Sequence, residues 1–274
     1  MKQTTLRAAA ATCIALAPLH AGAVTFVLDF TSTQTLSTFT TTGFDSSGFS
    51  FGAATDAQIQ NDILEAVRED FLDYPTSDID PNSPLAPGKE LDIDIVLGSG
   101  GVYTGTDPLY YFVGIGSTTS TTGLGVGFVG SYNNILQVGT TTAMTFTNNV
   151  ANILNTQCNS LNGYDGLINS IVGTTSHEIG HNLSLLHPNV TATEPNPGES
   201  AYGILATGAS PVNMPNSERC VDRAFSYDNF ATLIDNVGTR DLPDTPAPVP
   251  LVGSGALLGS ALLAFGAMRR RRQV

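Results

Sequence analysis

The stretch His177-Glu178-Ile179-Gly180-His181-Asn182-Leu183-Ser184-Leu185-Leu186-His187 restricts this chain more than any other. On a helix, His177 and His181 are four residues apart and project from one face. Two imidazoles so spaced can grip one Zn²⁺, and Glu178, beside the first, points toward the place of a coordinated water. A third ligand is needed, and His187 is the candidate. It lies six residues past His181, about 240° round a continuous helix. For His187 to reach the same ion, the helix must end near Ser184 and the chain must turn back. The chain has four histidines. His20 falls in a leader segment described below, so the other three all belong to this motif.

The pattern H-E-x-x-H-x-x-G-x-x-H is the signature of the metzincin zinc metallopeptidases, which this stretch resembles at every position but one. Ser184 stands where that family carries Gly. The resemblance implies a left-handed residue there, which ends the helix and swings the third histidine round. Serine can adopt that conformation at a cost of roughly 1 kcal/mol. It also implies an α+β fold, with a twisted mixed sheet, two long helices over the zinc cleft, and a small C-terminal subdomain ending in a helix. Metzincins carry a Met in a tight turn beneath the zinc. Here the segment 202–208 resembles that turn with Leu205 in the Met position, and Met214 is the other option. In gluzincin-like peptidases the third ligand is a downstream Glu, for which Glu194, Glu199 and Glu218 are available.

Both ends of the chain read as processing signals. Residues 1–23 carry Lys2 and Arg7, an apolar run, and Ala21-Gly22-Ala23, the pattern of a signal peptide. Residues 24–244 would form the metallopeptidase domain. Residues 245–274 hold a Pro-rich spacer, an apolar run from Leu251 to Met268, and Arg269 to Arg272. Eighteen residues make about 27 Å of helix, enough to span a bilayer core, with the arginines on the cytoplasmic side. This tail resembles the PEP-CTERM sorting signal, which implies an exosortase-like partner and delivery to the cell surface or matrix. The other reading is a plain membrane anchor.

Without its ends the chain keeps 5 basic residues against 24 acidic ones, a net charge near −19. Such a surface repels nucleic acid and anionic lipid. Calcium at an acidic surface is conceivable chemistry, but no loop matches an EF-hand. Cys13 leaves with the leader, so Cys158 and Cys220 form an even pair in an exported chain and are expected to make one disulfide. No cysteine lies between Val24 and the first strands, so a cysteine switch over the zinc is excluded.

Residues 24–30 read as a first strand and 31–50 as loop or edge strand. Asp56–Leu72 is a clear amphipathic helix. Residues 74–89, with four prolines, are a long loop. Residues 91–96, 109–115 and 124–129 are strands, 146–155 a short helix, 164–186 the zinc helix, and 222–237 a C-terminal helix. The Thr-rich runs 31–42, 117–122 and 140–147 read as low-complexity surface.

Three neutral imidazoles leave zinc one open position, where a water's pKa falls to about 7. Glu178 would take its proton during attack on a peptide carbonyl and pass it to the leaving amine. A peptide substrate would pair with an exposed sheet edge, for which 124–129 is the candidate. Tyr202 and Tyr227 are candidates to steady the oxyanion. The non-enzymatic alternative is a surface or matrix protein with structural zinc. Such sites are closed by four protein ligands, and neither a fourth histidine nor a nearby cysteine pair is at hand.

Overall fold

The computed structural model describes residues 23–131, 138–188, 202–209 and 212–242. The leader, the Pro-rich spacer, the apolar tail, Glu194 and Glu199 lie outside them. The chain divides into two compact units, Met1–Arg240 and Asp241–Val274. Among the described residues no helix is long and apolar enough to cross a membrane.

The first unit is built on a five-stranded sheet. Its strands are β1 (Val24–Asp29), β5 (Ile93–Gly98), β6 (Tyr110–Gly116), β7 (Gly125–Gly127) and β8 (Thr141–Phe146), in the order β5-β1-β6-β8-β7. β1 runs parallel to β5 and β6, and β6 parallel to β8. Only β7, at the edge, is antiparallel. Every residue of β1 is buried, as expected of a central parallel strand covered on both faces. On one face lie the helices. On the other, the hairpin of β2 (Gln34–Leu36) and β3 (Phe39–Thr41) brings Leu36 and Phe39 against Met144 and Phe146.

Helix α1 (Asp56–Leu72) begins where the Thr55 hydroxyl accepts from the Gln58 N–H, with Asp56 favouring the positive end of the helix dipole. It buries Ile59, Ile63, Leu64, Val67 and Phe71 against the sheet. Arg68 Nε donates to the Ile95 carbonyl at 2.8 Å and ties it to β5. Helix α2 (Thr147–Asn182) is broken at Gly163, whose φ of 58° and ψ of −131° only glycine adopts at low cost. The expected short helix at 146–155 is therefore the start of a helix that reaches Gly163, and the zinc helix stops at Asn182, four residues short of its expected end.

The expectation for residues 140–147 is corrected. This Thr-rich run is β8, flanked by β6 and β7, with Thr142, Thr145 and Thr147 fully buried. Within residues 31–42, Thr41 is also buried, inside the hairpin. Burying hydroxyls is tolerable where they find partners among the described residues, as those of Thr142 and Thr145 do and those of Thr41 and Thr147 do not. Thr145 and Thr175 hydroxyls lie 2.9 Å apart, and Thr142 donates to the Asn182 side-chain oxygen.

After the site, a 3-10 turn at Asn216–Cys220 packs on α2, secured by a disulfide from Cys158 to Cys220 with Cα atoms 4.9 Å apart. The last helix, α3 (Tyr227–Val237), is shorter than expected and is capped by Ser226. Strand β4 (Lys89–Leu91) pairs with β9 (Thr239–Asp241), and Arg240 meets Glu90 at 2.7 Å and Asp94 at 2.8 Å.

Candidate metal centre

The second half of α2 turns Leu167, Ile171 and Ile179 into the core and leaves His177 and His181 on the facing turn. Three contacts fix its end. Asn182, fully buried, donates from Nδ2 to the carbonyls of Thr142 at 2.9 Å and Phe128 at 3.2 Å, joining the helix to β8 and to the segment after β7. The Ser184 N–H donates to the His181 carbonyl at 3.0 Å, and the Leu185 N–H to the Gly180 carbonyl at 2.9 Å. That pair of bonds is a Schellman motif, and Ser184 occupies its left-handed position with φ 70°.

Serine there holds a conformation worth about 1–2 kcal/mol in strain, while glycine loses about 0.5–1 kcal/mol more chain entropy on folding. Ser184→Gly is therefore expected to raise stability by up to about 1.5 kcal/mol with zinc binding intact. Ser184→Val, β-branched, is expected to destabilise by about 1–3 kcal/mol and to weaken zinc binding by displacing His187. Thermal melts and zinc titration read both.

The reversed chain brings the three histidines together. His187 Nε2 lies 3.0 Å from Nε2 of His177 and 3.0 Å from Nε2 of His181. Their nitrogens all lie within 4.8 Å of one another, and among the described residues they are the one such cluster of metal-ligating side chains. The outer nitrogens are occupied. Nδ1 of His177 is 2.9 Å from the Ile204 carbonyl, and Nδ1 of His181 is 2.8 Å from the Leu185 carbonyl. Each Nδ1 therefore carries the proton, and each Nε2 turns a lone pair inward. His187 has one Nε2–H to offer and cannot satisfy both neighbours. A cation between the three rings resolves the conflict. Nitrogens about 2.05 Å from one tetrahedral zinc lie about 3.3 Å apart, close to the spacing found. The triad can hold a metal ion, and its donor set suits zinc.

Burial keeps these imidazoles ready for metal. It holds His177 well below the usual histidine range, with His181 adding to the effect. Burial also lowers His181 and His187.

Glu178 is 7 % exposed beneath β7. Burial pushes its carboxyl up to about 8, against a pull from Arg219. Arg219, on the 3-10 turn, was not singled out in the sequence, because an arginine beside a disulfide cysteine carries no motif. Without metal, a folded-state value above the unfolded 4.5 makes the Glu178 contribution fully present below 4.5 and lost as pH rises toward 8. The three lowered histidines titrate alike in the wild type and in Glu178→Gln, so their contribution cancels from the comparison of the two. Between pH 6.5 and 8 the metal-free protein is thus expected to lose about 2 kcal/mol relative to Glu178→Gln. Urea melts of both proteins across that range check it.

Below the helix, Gly203 to Ala206 form a turn closed by the Ala206 N–H to the Gly203 carbonyl at 2.9 Å. Leu205 on this turn is fully buried against Gly180, together with Leu185 and Phe225. Met214 instead packs with Ala206 and Val212 in a separate cluster, beside Tyr202. Tyr227 stands half exposed at the start of α3. Glu218 lies on the 3-10 turn, outside the histidine cluster. Arg223 was also missed. Its guanidinium is buried against α2 at Gly173, and Nη1 lies 3.4 Å from the Ile204 carbonyl that His177 uses.

No protein-family model matches the chain, and no curated protein matches it. Among solved structures, archaemetzincin from Methanopyrus kandleri is 13 % identical, over 81 % of this chain and 98 % of that one, with a TM-score of 0.37. Metalloproteinase-II from Bacteroides fragilis is 14 % identical, over 79 % of this chain and 53 % of that one, with a TM-score of 0.36. A chain of the ECX AB5 holotoxin in its GM1-bound form is 12 % identical, over 80 % of this chain and 79 % of that one, with a TM-score of 0.35. At this level of similarity the chemistry rests on the residues themselves, and those residues make a three-histidine centre able to bind metal.

Proposed function

We propose that this chain is an exported zinc-dependent endopeptidase that hydrolyses peptide bonds with Glu178 as general base. The observation that carries the reading is the convergence of three Nε2 atoms, two of them with Nδ1 held by a backbone carbonyl, on a helix whose buried Glu178 follows His177 in sequence. His177, His181 and His187 would hold the ion. Zinc bound there supplies a Lewis acid that polarises a carbonyl and acidifies water.

The chain's own groups do the rest. Glu178 accepts a proton from the attacking water at a carboxylate oxygen and delivers it to the departing amine nitrogen. Its burial leaves it little water and raises its pKa in the metal-free site, and a nearby dication would favour its ionised form. Leu205 gives the centre an apolar floor, excluding water from below the helix. Strand β7 has β8 on one side only, so its other edge can accept an extended peptide by main-chain hydrogen bonds.

A structural zinc site is favoured by nothing in this geometry. Among the described residues three side chains converge on the centre, whereas a structural zinc site is closed by four protein ligands. The leader and the PEP-CTERM-like tail support export and surface delivery, and the mass of the protein recovered outside the cell would read both cleavages.

Casein hydrolysis by the purified protein tests the activity. Cleavage that stops with a chelator and returns with zinc supports the reading. Chelator-resistant cleavage, or none with a full complement of zinc, contradicts it.

A further inference from the structure

We propose that Gly125, in the edge strand β7, is a positioning residue for Glu178: its missing side chain leaves the space in which the carboxylate is held. This rests on the hydrolytic reading of the site. A Cβ placed on Gly125 would lie 2.7 Å from Glu178 Oε1, 2.8 Å from Glu178 Cγ and 2.8 Å from the Met144 carbonyl oxygen. One on Gly127 would lie 2.4 Å from the Glu178 carbonyl oxygen and 3.1 Å from its C and Cα atoms. Non-bonded carbon and oxygen atoms do not approach so closely.

Residues two apart in a strand share a face. Gly125 and Gly127 therefore present bare backbone to α2, and both meet it at the same residue, Glu178. Val126 between them packs on the other side, against Met144 and Phe146. The sheet face that covers the base has no side chains over the length of this strand.

The strand cannot easily retreat. The Phe146 N–H donates to the Leu124 carbonyl at 2.7 Å, and the Phe128 N–H to the Thr142 carbonyl at 3.2 Å, on either side of the glycines. Asn182 holds the Phe128 carbonyl from the helix. Between a fixed strand and a fixed helix, the mobile partner is the end of the Glu178 side chain. A methyl at 125 drives the carboxylate out of its place while pressing on the Met144 carbonyl of β8, whereas a methyl at 127 meets helix backbone. The two glycines thus have separable roles. Gly125 sets where the base sits, and Gly127 sets how closely strand and helix approach.

The test uses the full-length protein and a quenched fluorescent peptide drawn from a casein cleavage site. Gly125→Ala is expected to lower kcat by about 100-fold, the scale of a 1 Å misplacement of a reacting group, with KM changed only a few-fold. Zinc content should stay near wild type and the melting temperature of Gly125→Ala should fall only modestly, from its contact with the Met144 carbonyl, while Gly127→Ala should lower the melting temperature more. In a Glu178→Ala background, which empties the contested space, Gly125→Ala should cost no further activity. Wild-type kcat in Gly125→Ala overturns the proposal. So does a loss that follows zinc content or folding, failure of Gly125→Ala to fold, or an undiminished effect in the Glu178→Ala background. Should Glu178→Ala itself keep full activity, the hydrolytic reading falls first and this inference with it.

Discussion

Glu178→Gln is expected to lower the rate of peptide hydrolysis by about 10²- to 10⁴-fold, the usual contribution of a positioned general base, while zinc remains bound. The amide has the shape of the carboxyl and cannot take a proton. Two of the three imidazoles are held by backbone carbonyls, His177 by that of Ile204 and His181 by that of Leu185. Nothing in their placement depends on a charge at 178. Burying a neutral amide where a carboxyl had its pKa raised is also no burden on the fold. The variant should therefore melt at or above the wild-type temperature above neutral pH without metal. A rate within a few-fold of wild type, at equal zinc content, would remove Glu178 from the chemistry.

Breaking the Cys158–Cys220 bond is expected to cost about 4 kcal/mol, given the 62-residue separation it closes. For a chain of this size that corresponds to a fall on the order of 10 °C in melting temperature. The consequence reaches the site. The bond pins the 3-10 turn to α2, and from that turn Arg219 acts on Glu178. Arg223 follows four residues after Arg219 and contacts the Ile204 carbonyl behind His177. Cys220→Ser should thus lower both stability and zinc affinity, and the reduced wild type should match it. A melting temperature within 2–3 °C of wild type, under about 1 kcal/mol on the same scale, would show that packing alone holds the turn.

The residues of the centre were legible because their chemistry depends on local spacing. His177 and His181 declare themselves by a four-residue interval, and His187 by what the backbone must do to bring it back. The left-handed Ser184 followed from that demand, although serine is not the residue usually found in such a position. Helix α1 was equally plain, since its apolar residues recur at helical spacing.

What was not legible depends on contacts between distant residues. Strand β8 reads as polar because threonine does not show that its hydroxyl will meet Asn182 or Thr175 across the core. Once those partners exist, a β-branched residue suits a buried strand. Asn182 was hidden for the same reason, as one polar residue among ligands that pins both β8 and the segment after β7. The glycines at 125 and 127 carried a pattern but not its meaning. They read as part of the strand at 124–129, and only the fold shows that the residue packed against them is Glu178. Arg223, a cation buried behind the site, has no signature in a sequence at all.

The most direct test of the account is an anomalous-scattering map of the zinc-loaded crystal, recorded on both sides of the zinc absorption edge. One strong peak within about 2.0–2.1 Å of Nε2 of His177, His181 and His187 is the predicted result, with His187→Ala losing most of its zinc affinity. A peak bound by His177, His181 and a carboxylate from Glu194, Glu199 or Glu218, with His187 turned away, would contradict it.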